Sequence, residues 1–348
     1  MRRVIFITQV VGRAHSNLGA TVAKIAALAR RVDEVVVLCR EAVESDLPEN
    51  CRVRYFEDRT QLRRGTRFAV ALASELRPRP IAVVAHMVPL YAVIAAPIVR
   101  PRRIPLMLWY THWKGHSVVR ASALLCTYVL SLDERSFPLH VRNVRAIGHG
   151  IDLQEFPCQP LHPLEGRPLT VMSLGRYSPP KRLEEIVEGV RIARSRGVDA
   201  VVQLWGTSDS PAQRAYKLEL EQLVEREGLQ EWVSVGGSIP RTELPAVYAK
   251  ADVVASDFIS PDKIVLEGCS SCRPVLASHE SFDTLFAGIE PPLAFTRGRP
   301  ETFADRVEAL AGLTDEQRHA IGETLRERVR TMHSVETWAD AILRLAET

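Results

Sequence analysis

The sequence has no apolar run long enough to cross a bilayer. Its longest, Val88–Val99, falls well short of the ~20 residues a spanning helix needs. Met1–Arg2–Arg3 leads into apolar Val4–Ile7, but Gln9 and Arg13 interrupt before a signal-peptide core forms. Charge of one sign is missing too: 45 basic against 42 acidic residues leave a net charge of +3. That balance excludes a dedicated nucleic-acid binder, which concentrates basic charge in one domain, so no nucleic-acid partner is expected. No second C-x-x-C and no histidine pair accompany Cys269 and Cys272, so no metal set is complete. The six cysteines lie mostly inside apolar stretches, as small hydrophobes do in a reducing compartment. Neither G-x-G-x-x-G nor D-x-D occurs, which leaves a nicotinamide dehydrogenase without its fingerprint. These absences predict a cytoplasmic protein, at most peripheral to the inner face of a membrane.

At 348 residues, with 46% hydrophobic and 25% charged, the chain can bury two sizeable cores. Short β-branched runs alternate with amphipathic stretches. Strands are predicted at Val4–Thr8, Val35–Cys39, Ile81–Ala85, Leu106–Trp109, Tyr128–Ser131 and Val144–Ile147. A second series follows at Leu169–Leu174, Val201–Trp205, Val233–Val235, Val253–Ala255 and Val275–Ala277. Most are continuously apolar, as strands buried on both faces of a parallel sheet are. Leu183, Ile186, Val187 and Val190 share one helix face, as do Trp338, Ile342 and Leu345, and Thr314 with Gln317 reads as a capping box. The alternation predicts doubly wound α/β domains. The segment Phe156–Pro168 carries four prolines and no periodicity, so it reads as a linker. Domains are expected over residues 1–160 and 165–334, with a final helix over 335–348 packing back on the first.

Ligands of open parallel sheets sit beyond the carboxyl ends of the strands. After Leu169–Leu174 come Gly175, Arg176 and Lys181 ahead of a helix. Two fixed cations beside free helix-start amides suit a pyrophosphate; the bland reading is a surface loop. In Ser260–Gly268, Glu267 lies in an otherwise apolar helix, and an uncompensated buried carboxylate is costly. Ribose hydroxyls are one partner for it, and a neighbouring arginine such as Arg273 is the other. Gly148–His149–Gly150 ends the first series, where a packed histidine is the simpler reading of His149. His112, just past Leu106–Trp109, is available as a proton donor, acceptor or sugar-hydroxyl partner. Basic clusters at Arg63–Arg64–Arg67 and Arg100–Arg102–Arg103 read either as solvated loops or as contacts to an anionic membrane surface or phosphorylated acceptor.

Together, and in order along nearly the whole chain, these segments resemble the GT-B glycosyltransferases, specifically the large retaining family 4. The carriers are G-R-x-x-x-x-K (Gly175, Arg176, Lys181) and V-L-E-G-C-S-S-C-R-P-V (Val265–Val275). They are joined by Leu244–Tyr248 with Ala251–Asp252–Val253, by His149–Gly150–Ile151–Asp152 with Phe156, and by Gly206 and Gly237 after their strands. The resemblance implies two Rossmann-like domains facing a central cleft, the first acceptor-side and the second holding the donor. It implies a hexose transferred with retention from a UDP- or GDP-linked sugar to a glycan, lipid-linked or small-molecule acceptor. No prosthetic group and no metal are implied. Arg176 and Lys181 would grip the diphosphate with the amides of Ile264 and Val265, and Glu267 the ribose. His112, with His149, Asn17 and Gly19, would meet sugar or acceptor. The family's E-x7-E has Ile259 where its first glutamate stands; Asp262, or else Asp257, would substitute. A 2-epimerase of the same fold and an inactive partner subunit are the alternatives.

Overall fold

The structure, a computed structural model, describes residues 1–12, 19–42 and 47–348. They form two compact units: Met1–Asp152 with Met332–Thr348, and Leu153–Thr331. The first contains β1 (Arg3–Ile7), β2 (Val10–Val11), β3 (Glu34–Cys39), β4 (Glu41–Ala42), β5 (Cys51–Tyr55), β6 (Ala82–His86), β7 (Leu106–Trp109), β8 (Tyr128–Ser131) and β9 (Val144–Ala146). Its helices are α1 (Ala20–Ala29), α2 (Gln61–Ser74), α3 (Pro89–Val99) and α4 (Ser117–Leu125). The second contains β10 (Leu169–Leu174), β11 (Ala200–Trp205), β12 (Val233–Val235), β13 (Val253–Ser256) and β14 (Val275–Ala277). Its helices are α5 (Leu183–Ser195), α6 (Pro211–Arg226), α7 (Leu244–Ala249), α8 (Lys263–Ser270), α9 (Asp283–Phe286), α10 (Pro300–Ala311) and α11 (Asp315–Met332). The last helix, α12 (Val335–Glu347), belongs to the first unit. No helix among the described residues is long and apolar enough to cross a membrane.

The first sheet has seven parallel strands in the order β5-β3-β1-β6-β7-β8-β9. Alternate residues of its central strands enter two separate cores. Ile5, Ile7, Val36, Leu38, Val83 and Ala85 pack with α2, α3 and α4. Val4, Phe6, Val35, Val37, Ala82 and Val84 pack with α1 and α12. Helices therefore cover both faces, which is the doubly wound arrangement, and the continuous apolar strand runs follow from it. The second sheet, β12-β11-β10-β13-β14, is also all parallel. Each of the eleven predicted strands is present to within one residue at either end. Strand β5 was not predicted. It is an edge strand in which Arg52 and Arg54 alternate with Val53, so it lacks the continuous apolar run of its neighbours.

Thr314 and Gln317 form the expected capping box: the Gln317 amide donates to the Thr314 hydroxyl and the Gln317 side chain accepts from the Thr314 amide. α12 packs against α1 and sends Trp338 and Ile342 into the core. Its approach needs a glycine at 148, where φ is +76° and a Cβ would come within 2.2 Å of the Met332 carbonyl. The cysteines depart from expectation. Cys158 and Cys272 form a disulfide inside the second unit, with 114 residues between them in sequence. Cys39, Cys51, Cys126 and Cys269 are free.

Glu75, at the C-terminal end of α2, is a buried carboxylate. Glu75 accepts hydrogen bonds from Arg52 at 2.7 and 2.6 Å, from Arg54 at 2.9 Å, and from Arg3. Arg52 foremost, then Arg54 and Arg3, outweigh the burial that opposes ionisation and bring its pKa down to about 2. A depressed carboxylate stabilises the fold above its unfolded value, near 4.5, and that contribution is lost as pH falls through about 2. Glu75→Gln is expected to destabilise the first unit by about 3–5 kcal/mol at neutral pH, because Arg3 is left buried beside fewer carboxylates. Calorimetry would show the gap between variant and parent closing as pH is lowered from 4.5 towards 2; a constant gap would remove Glu75 from this role.

Candidate functional site

In the second unit the end of β10 is held by backbone contact. Gly175 has φ +130°, and its carbonyl passes so close to Gly206, which follows β11, that a Cβ on Gly206 would sit 1.7 Å from it. Only glycine fits there. The Gly206 amide donates to the Gly237 carbonyl at 3.0 Å, and the Tyr177 hydroxyl donates to the carbonyls of Leu204 and Gly236 at 3.0 and 2.9 Å. Three strand ends are thereby tied at one edge of the sheet.

Lys181 reaches back under this turn. Its ammonium donates to the Leu174 carbonyl at 2.8 Å and to Asp262 Oδ2 at 2.6 Å, with the residue only 7% exposed. Arg176, by contrast, is exposed and makes no hydrogen bond or ion pair among the described residues. Asp262 is the N-cap of α8 but does not cap it with its side chain; Oδ2 also accepts from Ser256 Oγ at 3.0 Å. The Val265 amide, expected with that of Ile264 to face phosphate, instead donates to the Asp262 carbonyl at 3.2 Å, which leaves Lys263 and Ile264 as the helix-start donors. A buried cation, an exposed cation and a helix start of this kind form an anion-binding arrangement.

Glu267 lies one turn further along α8 and is 2% exposed. Tyr248 donates to Oε2 at 2.9 Å, and Lys263 and Arg241 lie 3.1 and 3.4 Å from Oε1. Burial alone would raise its pKa; Lys263 and Arg241 outweigh that and lower it, so the buried carboxylate stays ionised. Arg241 also binds Glu155 at 2.6 Å. Arg273 is not the partner of Glu267. It is fully buried and donates to the carbonyls of Ser271, Ala251, Gln159 and Pro160, fastening the proline-rich segment. The buried glutamate implied a cation, but Arg241, 26 residues away, had no local signal.

Asp257 is buried, which raises its pKa, and it accepts from Ser278 at 2.6 Å and pairs with Arg182 at 3.3 Å. Ile259 stands 44% exposed in the loop between β13 and α8. No three of histidine, cysteine, aspartate and glutamate are grouped to hold a metal ion among the described residues.

The remaining candidates lie in the first unit. His112 follows β7, with its ring 5.8 Å from Trp113 at 13° and Nδ1 accepting from the Lys114 amide at 3.0 Å. His149 packs edge-on against Trp109, ring centres 5.3 Å apart. His86 also stacks on Trp109, ring centres 4.9 Å apart, and the Lys24 ammonium lies 4.4 Å over the same indole. Burial, then Lys24, lowers the His86 pKa well below its usual value. Gly19 precedes α1; Asn17 lies outside the described residues.

The sequence matches no family model and no curated protein. Solved structures do share its fold. HepE of Anabaena, in complex with UDP and glucose, superposes over the whole of both chains with TM-score 0.75 at 15% identity. Sucrose-phosphate synthase of Thermosynechococcus elongatus gives TM-score 0.73 at 16% identity, over 100% of this chain and 98% of that one. A glycosyltransferase of Rickettsia africae gives 0.75 at 12%, over 99% and 98%. The chain thus has the GT-B fold, with a Rossmann-like sheet in each unit.

Proposed function

We propose that the protein is a glycosyltransferase that moves a hexose from a nucleotide diphosphate sugar, UDP- or GDP-linked, to a hydroxyl of a glycan, lipid-linked or small-molecule acceptor. The observation that carries this reading is the Lys181 ammonium, buried at the end of β10 beside the start of α8. The UDP and glucose bound by HepE support it and favour uridine as the base. In the reaction the bond from the anomeric carbon to the diphosphate breaks and one to the acceptor oxygen forms. Charge develops on the departing diphosphate, where Arg176, Lys181 and the amides of Lys263 and Ile264 would stabilise it electrostatically. The acceptor proton passes to the departing phosphate oxygen on the same face, giving retention without a carboxylate nucleophile. Protein cations take the place of a metal, as in family 4-like enzymes. His112 and His149 are assigned to sugar or acceptor, with Gly19 and Asn17.

Asp262 is assigned the sugar-holding place of the glutamate missing at Ile259. Its Oδ2 is engaged by Lys181 and Ser256, so one carboxylate oxygen is left for a sugar hydroxyl. The exposed Ile259 is what favours the second reading, a partner subunit that binds nucleotide without turning it over.

Incubation with a panel of nucleotide sugars should release nucleoside diphosphate, and release should stop in Arg176→Ala and Lys181→Ala. EDTA should leave the rate unchanged; a loss restored by Mg²⁺ would overturn the metal-free assignment. Binding without release across a broad acceptor panel would replace the transferase with the inactive subunit. A 2-epimeric nucleotide sugar as the product would replace it with the epimerase.

A further inference from the structure

Helix α2 turns Phe68 and Leu72 into the core, yet its outer face is not the polar surface that a helix on a sheet ordinarily presents. Leu62 is 83% exposed and Val70 65%, and Tyr55 on the adjoining edge strand β5 is 57% exposed. Leu62, Thr66 and Val70 follow each other at intervals of four, so they stand in one row along the helix. Arg63 and Arg67 line the same side, and α2 contains no acidic residue. Arg63 makes no side-chain hydrogen bond or ion pair among the described residues, and Arg67 meets only Asp58, at 3.4 Å. Beside this row, between β5 and α2, runs a groove of about 350 Å³ lined by Arg54, Tyr55, Thr66, Arg67, Val70, Ala71 and Ser74.

Single exposed apolar residues are ordinary. Here three share one surface with arginines at its border and hydroxyls in the groove between. A bilayer with anionic headgroups complements both parts. Guanidinium groups bond phosphates bidentately, an aromatic ring with a polar tip suits the headgroup level, and leucine and valine lose exposed area on entering the acyl boundary. We propose that α2 and the edge of β5 form a docking face for anionic phospholipid. Leu62, Val70 and Tyr55 enter between headgroups, Arg63 and Arg67 bind their phosphates, and the groove takes one headgroup. One helix face with a few cations gives reversible binding that depends on lipid composition. The proposal is independent of which reaction the protein catalyses.

The test is co-sedimentation of the full chain with phosphatidylcholine vesicles, with and without phosphatidylglycerol as the anionic lipid. The protein should bind the anionic vesicles and not the neutral ones, and binding should fall as salt is raised. Arg63→Gln/Arg67→Gln should weaken partition on the order of twentyfold, about fivefold for each charge near the surface. Leu62→Ser/Val70→Ser should weaken it as well, with unchanged melting temperature in both pairs. The same charge change placed at Arg226 and Arg330 in the second unit should have no effect. Equal binding to neutral and anionic vesicles, undiminished binding of either α2 pair, or an equal loss in the Arg226/Arg330 control would overturn the proposal. So would full displacement by millimolar inorganic phosphate, which would make the groove a site for a soluble anion.

Discussion

Lys181→Met is expected to lower kcat/KM for a nucleotide-sugar donor by about two to three orders of magnitude, the scale of losing one preorganised donor to a developing oxyanion. The ammonium has three N–H donors. One goes to the Leu174 carbonyl at 2.8 Å and one to Asp262 at 2.6 Å, which leaves the third for a phosphate oxygen. Gly175 leaves room for it, since a Cβ there would lie 2.4 Å from Nζ. A cation held this way needs no reorganisation when charge develops on the leaving group, which is why its loss should appear in turnover. The substitution also strands Asp262, 9% exposed, and removing one member of a buried pair costs about 3–5 kcal/mol. Lys181→Met/Asp262→Asn separates the two effects. The double variant should regain most of the melting temperature and none of the turnover. If it recovers turnover as well, Lys181 is a structural cation and the diphosphate assignment fails.

How far such roles could be read beforehand depended on where the partner lies along the chain. Strands β1, β3, β6 and β10 announce themselves because both their faces are buried, so nearly every residue is apolar. The edge strand β5 faces solvent on one side and carries arginines there, and it escaped the same reading. Gly175, Lys181 and Glu267 were visible because a strand end, a helix start and a carboxylate in an apolar helix are local patterns. Their partners were not. Asp262 is 81 residues from Lys181, Arg241 is 26 from Glu267, and Cys158 is 114 from Cys272. Such pairs are set by the order of strands in the sheet, which no local periodicity encodes. Burial gave the requirement for a partner and left its identity open; hence Arg273, closer in sequence to Glu267, was the natural candidate and the wrong one.

That pairing yields the second large effect. Glu267→Gln should weaken UDP binding by roughly tenfold to a hundredfold, the range for losing a hydrogen bond to a charged acceptor. The carboxylate offers about four lone-pair positions. Tyr248 occupies one on Oε2, and Lys263 and Arg241 share Oε1, so Oε2 retains a position for a ribose hydroxyl. Lys263, with 26% of its side chain exposed, is the one partner able to turn outward when a ligand arrives. Because Arg241 keeps Glu155 at 2.6 Å, the variant should fold, though with stability lowered by several kcal/mol, roughly the loss expected on uncharging one member of a buried cluster. Reduced stability could by itself loosen the loop after β10, so affinity for UDP alone does not isolate the ribose contact. Calorimetric titration with UDP and with 2′,3′-dideoxy-UDP does. The parent protein should prefer UDP by about the same factor that Glu267→Gln loses, and the variant should bind the two nucleotides alike. An equal loss for both ligands would sink the ribose contact and leave Glu267 as the anion that holds Arg241 and Tyr248 in the core.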